Sequence, residues 1–320
     1  MKISFRKQAV QYAVLVISIG IIVKYFVDHK DELRQVFNLQ GKDIILVSLL
    51  GLCIHIIMGY KMLFILRKLG LTEMPHLPWL KVFTVSRFLN FHLLQGGNIY
   101  RSIRLKQEYA FSYTDSLGMM AIFSWFEAVF ILIISIVMVG FLDRGILIAN
   151  VHALTVLGIL LIVFFLLPFV IRVLLWQWRT KISGKIWIYE KLTQVTESLT
   201  ANIRDVRLLV SLFALSLLTF LLYVWQINTV FQAIGKPIGI AETAVFVALT
   251  LLSGIINVTP GNIGVVELMY GYLSKVMGKT MGSGILVCGI LRVLGYLIVV
   301  MCAVVFSQLG STKSKQQNKF

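Results

Sequence analysis

Thr259-Pro260-Gly261-Asn262-Ile263-Gly264 stops an apolar run in the second half of the chain, and Gln95-Gly96-Gly97-Asn98-Ile99 stops another in the first. Proline lacks an amide donor and glycine permits unusual dihedrals, so both stretches break helices. Non-helical backbone at membrane depth must be buried in protein or line a cavity. Interrupted segments at matching places in two halves are the sequence sign of a transporter's binding site.

Composition places both breaks in a membrane protein. Of 320 residues, 58% are hydrophobic and 14% charged, with a mean hydropathy of +0.87. Soluble domains carry roughly 25% charged residues. The net charge of +16 follows from basic loops, so nucleic acid is not an expected partner. Cys53, Cys288 and Cys302 lie in apolar runs without metal-like or paired spacing and read as small core residues. His29, His55, His76, His92 and His152 are scattered. No phosphate-cradling loop, nucleophile elbow or acid–base carboxylate pair occurs, so no catalytic residue, metal or cofactor is expected.

Full spans are predicted over 8–27, 43–66, 115–142, 146–171, 208–234 and 282–308. The broken segments 78–95 and 242–277 are predicted to be re-entrant. The first run is read as a retained helix, because it is long for a signal peptide and no small-x-small site follows it. With this topology, segments 1–7, 67–114, 172–207 and 311–320 hold 20 Lys and Arg, and the opposite loops hold 7. The bias puts both termini in the cytoplasm. The predicted fold is therefore all-α and integral to the membrane. It has six full transmembrane helices and two re-entrant helical hairpins in an inverted-topology repeat, as secondary transporters do. Residues 1–320 form a single membrane domain. Its first half is 1–145 and its second 146–310, with a basic interfacial segment at 172–207 and a basic tail at 311–320.

Lys81, Thr84, Arg87 and Asn90 recur every three residues on one helical face, and Arg101 and Arg104 follow the first break. This polar stripe can lead an anionic headgroup inward; a solvated positive-inside helix is the alternative. Around the second break, Thr250, Ser253 and Asn257 share one face, and Glu267, Tyr270 and Ser274 another. The helix starting near Gly264 would aim free N–H groups at an anion. Arg292 and Glu127 each lie about thirty residues beyond their half's Gly-Asn-Ile, near the middle of a span. A charge there costs about 2.5–3.5 kcal/mol and usually pairs or lines a pathway. Arg292 is expected to pair with Glu267 or Glu127, or to bind a headgroup while a carboxylate carries protons. The candidate substrate-binding set is Arg87, Asn98, Arg101, Arg104, Glu127, Asn257, Pro260, Gly261, Asn262, Gly264, Glu267 and Arg292.

At these residues the chain resembles the transmembrane, flippase-like domain of the lysylphosphatidylglycerol synthase family. Leu89 through Arg101, continuing to Leu105-Lys106 and Phe111-Ser112-Tyr113, is similar to that family's first loop. Thr259-Pro260-Gly261-Asn262-Ile263-Gly264-Val265-Val266-Glu267, with Arg292 downstream, is similar to its second. Gln95 stands where the family usually has proline, a second glycine and acidic residue before Arg101 are missing, and the usual arginine near Glu127 is absent. The resemblance implies movement of an anionic or modified lipid, a phospholipid or polyprenyl-linked glycolipid, between leaflets. In aminoacylating members transfer is made by a separate soluble domain, and this chain ends in a short basic tail, Ser311 to Phe320. A lysyltransferase activity would be inherited from the family in name only.

Three readings follow: a lipid translocator of the inner or plasma membrane, a membrane subunit or remnant of a lipid-modifying transferase, and a non-transporting envelope-assembly scaffold. The expected partners are lipids with anionic headgroups; envelope-biosynthesis enzymes and a second copy of the chain are left open.

Overall fold

A computed structural model describes residues 5–93, 95–148, 150–178, 205–255 and 259–317. Eleven α-helices follow one another among them. They are α1 (Phe5–Asp28), α2 (Lys30–Leu33), α3 (Gly41–Lys68), α4 (His76–His92), α5 (Gly96–Tyr109) and α6 (Tyr113–Leu142). A two-residue strand pair, β1 (Leu147–Ile148) and β2 (Val151–His152), leads into α7 (Ala153–Trp178), α8 (Val206–Ala233) and α9 (Ile240–Ile255). A 3-10 turn (Pro260–Asn262) then precedes α10 (Val265–Val276) and α11 (Met281–Gln317). Among the described residues, five helices are long and apolar enough to cross a membrane: α3, α6, α7, α8 and α11. The chain is an all-α, multi-pass membrane protein.

Two boundaries differ from the sequence expectation. The span predicted from residue 146 begins at Ala153, because Asn150 turns the chain at φ 65° and Ile148 pairs with Val151. Asparagine tolerates that left-handed conformation better than most residues. The last helix does not stop before the predicted tail but runs on to Gln317. Of the interfacial segment 172–207, residues 179–204 lie outside the described residues.

Apolar side chains collect in two cores. One joins α6, α8, α9 and α10 around Phe220, Phe231, Phe246 and Tyr270, and the other joins α3, α4 and α6 around Met62, Trp79 and Ile122. The buried Trp79 indole donates to the Gly59 carbonyl at 2.7 Å, satisfying its one polar atom.

Helix packing has a regular plan. α3 packs against α8; α3 also touches α4, α6 and α11, as α8 touches α9, α11 and α6. α4 packs on α11 as α9 does on α6, and α5 packs on α6 as α10 does on α11. Exchanging α3 with α8, α4 with α9, α5 with α10 and α6 with α11 therefore reproduces the same contacts.

At the cytoplasm-predicted end of α3, Lys68 forms an ion pair with Asp205, which also caps α8 by accepting from the Leu208 amide at 3.1 Å. The hydrogen bond from Lys68, helped by the capping amide, holds the Asp205 carboxyl below its ordinary value of 3.8. A depressed carboxylate contributes stability that is complete above its unfolded pKa and is lost as pH falls through the folded one. Thermal unfolding followed from neutral to strongly acidic pH will show a stability loss in this window that Asp205→Asn removes. Because the pair lies near the surface, the loss will be small.

Candidate functional site

Each break is held by its own hydrogen bonds. α4 ends where Leu93 turns extended, and Gln95 takes a left-handed φ of 60° before α5 starts. α5 then folds back onto α4: the Gly97 amide donates to Asn90 Oδ1 at 2.8 Å, and Ser86 Oγ donates to the Gly97 carbonyl at 2.8 Å. In the second break Gly261 and Gly264 adopt φ of 59° and 85°, and Asn262 donates to the Ser253 carbonyl at 2.7 Å. Thr250 of α9 meets the Tyr270 hydroxyl of α10 at 2.9 Å.

The two breaks lie side by side. The 3-10 turn packs on α4, and a Cβ added to Gly261 would lie 3.2 Å from the Phe91 carbonyl oxygen. Arg292 of α11 ties this junction together. Its Nη1 donates to the Gly261 carbonyl at 2.7 Å, while its Nε lies 2.5 Å from Glu267 Oε1 as an ion pair without hydrogen-bond alignment.

A cavity of about 200 Å³ opens at this junction, between α3, α4, α8, α9, α10 and α11. Arg87 and Arg292 line it together with His55, Phe91, Tyr223, Gln226, Thr250 and Tyr270, and among the described residues no carboxylate does. Arg87 Nη1 lies 3.3 Å from His55 Nδ1. Since arginine only donates, Nδ1 accepts; the neutral ring then carries its proton on Nε2 and donates to Thr84 Oγ1 at 2.9 Å. The Tyr223 hydroxyl also sits beside Arg87. Arg87 has no carboxylate partner among the described residues, whereas Glu267 balances Arg292. Among the described residues the cavity thus carries one positive charge without a carboxylate partner, and an anion there is attracted more strongly than in bulk water.

The structure places the sequence-predicted residues unequally around it. Arg87 and Arg292 line the cavity, and Pro260, Gly261 and Asn262 form the turn above Arg292. Asn98 bridges Gln95 and Arg101 inside the first break, accepting from Arg101 Nη2 at 2.5 Å. Arg101 is 5% exposed and also contacts Met62 Sδ at 3.0 Å. Asn257 lies outside the described residues.

Two expectations are corrected, for Arg104 and for Gly264, and one pair of alternatives, for Arg292, is resolved. Arg104 pairs with Glu108 at 2.7 Å on a partly exposed face, because the buried stripe of α5 runs Gly97, Arg101, Leu105 and leaves residue 104 off it. The start of α10 is not open to an anion at Gly264, because Glu267 Oε2 accepts that amide at 2.7 Å and Ser18 closes over the glycine. Glu127 does not reach Arg292; both its oxygens accept from Lys61 Nζ at 2.7 Å. Arg292 takes the other expected partner, Glu267.

Lys61, His55, Tyr223 and Gln226 were given no place in the site by the sequence. Lys61 alone carried a signal, as a cation inside a predicted span. The others resemble ordinary core residues until α3 and α8 are seen to face the breaks.

A family model for the lysylphosphatidylglycerol synthase TM region matches residues 10–303. The chain belongs to that family. The family match runs from the first helix into α11 and so takes in both breaks, Arg87 and Arg292. The match marks the chain as a membrane protein related to lipid modification or flippase-like function. No match was found among curated proteins or among solved structures.

Proposed function

We propose that the protein translocates a lipid with an anionic headgroup between the leaflets of the plasma membrane. The cavity carries this reading: Arg87 from the first broken segment and Arg292 beside the second converge on one space that, among the described residues, has no carboxylate in its lining. Ionisable side chains at membrane depth are costly and mark substrate pathways. An uncompensated guanidinium suits a phosphate, which it can bind through two parallel hydrogen bonds.

In this reading α1 crosses the membrane as a sixth span, and both termini face the cytoplasm, as the loop charges favour. α4–α5 and α9–α10 enter from opposite sides and turn back. Residues 1–145 and 146–310 form two inverted halves, a plan supported by the exchange symmetry of the helix contacts. Rocking of one half against the other exposes the cavity alternately, as in other inverted-repeat carriers, while the hydrocarbon tails stay in lipid.

The test is purified full-length protein in liposomes, with fluorescent lipids labelled on the headgroup and quenched from outside. Anionic lipids will become accessible faster than in protein-free vesicles, and a lipid whose aminoacyl headgroup adds positive charge will cross more slowly than its anionic parent, because among the described residues no carboxylate lines the cavity to receive the cation. If no lipid class crosses faster than in empty vesicles, the translocation reading fails.

A further inference from the structure

α3 and α11 cross at Gly51 and Ile298, so closely that a Cβ on Gly51 would lie 2.8 Å from the Ile298 δ-methyl. Beside the two-arginine cavity, along this crossing, runs an apolar groove of about 530 Å³. Its walls come from α3 between Ile44 and Ile56, α11 between Ile298 and Phe306, and Leu80 of α4. Among the described residues, only Ser48, His55 and Cys302 bring a side-chain O, N or S–H to its lining. The outer lip is open: Ile45 is 62% and Met301 67% exposed.

Two observations distinguish this groove from an ordinary lipid-facing surface. His55 and Ile298 line both the groove and the cavity, so the apolar and the cationic spaces share a wall. The groove also has a fitting length. The twelve helical steps from Ile44 to Ile56 span about 18 Å at 1.5 Å each, while one leaflet contributes about 15 Å of the hydrocarbon core.

Given the headgroup reading above, on which this rests, we propose that the groove holds one hydrocarbon chain of the same lipid whose anionic headgroup occupies the Arg87 cavity. Lipid tails are as apolar as the groove, so moving a chain from bilayer to groove gains little affinity. The groove instead fixes where the chain leaves the headgroup, and so aims the phosphate at Arg87 past His55 and Ile298, where the two spaces adjoin. The ligand recognised is thus a whole lipid. A free headgroup phosphate would lack this guide.

The experiment uses full-length protein in phosphatidylglycerol bilayers doped with phosphatidylglycerol carrying a photoactivatable diazirine at the end of one acyl chain. After irradiation, adducts are mapped by mass spectrometry. Adducts will concentrate on the groove segments of α3 and α11, above the level on Ile162 and Phe165, which are exposed on α7. Arg87→Gln will lower the groove adducts several-fold toward that level and leave those on α7 unchanged. Leu49→Trp with Met301→Trp, which fill the groove from its exposed lip, will lower both groove adducts and translocation. Groove adducts no denser than those on α7 overturn the proposal. If Arg87→Gln abolishes translocation but leaves groove adducts unchanged, the headgroup reading stands and the groove assignment falls. If translocation survives Arg87→Gln as well, both fall.

Discussion

Glu127→Gln will destabilise the fold by about 3–5 kcal/mol, the usual penalty when one partner of a buried ion pair is removed. Lys61 is 1% and Glu127 7% exposed, and both carboxylate oxygens accept from Nζ at 2.7 Å. The pair sits between α3 and α6, among apolar neighbours such as Met62 and Phe126. Glutamine leaves the ammonium without a counter-charge in a place water does not reach. Lys61→Met alone leaves the carboxylate stranded and will cost a similar amount. The double variant Lys61→Met with Glu127→Leu removes both charges and will recover most of the loss, since apolar replacements of a buried pair are often neutral or better. Thermal unfolding of the three variants in detergent checks this. If the double variant is as unstable as the single ones, the pair does more than neutralise itself.

Gly97→Ala will also cost about 3–5 kcal/mol, for a steric reason. A Cβ at this position would stand 1.8 Å from the Ser86 carbonyl oxygen, a backbone atom that cannot rotate away. α4 and α5 would have to separate, adding overpacking strain of about 1–3 kcal/mol to the loss of two hydrogen bonds worth about 1 kcal/mol each. Gly158→Ala is the control, because nothing lies within 4 Å of its added methyl in α7. It will be neutral or slightly stabilising, as alanine is the better helix former. Unfolding midpoints of the two variants decide the matter. Equal stability would mean that the α4–α5 hairpin is looser than its hydrogen bonds imply.

Much of this fold was written locally. Runs of apolar residues marked α3, α6, α8 and α11 because lipid demands continuous hydrophobicity. Pro260 with its flanking glycines marked the second break because backbone chemistry there is a property of the residues themselves. What escaped was set by distance. Lys61 and Glu127 are 66 residues apart and meet only because α3 packs on α6. His55 carries no neighbour in sequence that reveals its contacts with Arg87 and Thr84. Arg101 and Arg104 read as one polar stripe in the sequence, yet a helix advances 3.6 residues per turn, and burial follows Gly97, Arg101 and Leu105 instead. Gly264 was legible as a helix start, but not that Glu267, three residues on, already occupies its amide.

The central claim is that the anion-binding charge is Arg87, inside the cavity, and not the surface pair Arg104–Glu108. The decisive measurement is headgroup-labelled phosphatidylglycerol translocation in liposomes, with native protein, Arg87→Gln and Arg104→Gln compared at equal reconstituted amounts. A charged hydrogen bond is worth about 1.5–3 kcal/mol, so the Arg87 variant will be about tenfold to a hundredfold slower while the Arg104 variant keeps the native rate. Translocation that survives Arg87→Gln, or that falls equally in both variants, would contradict the account.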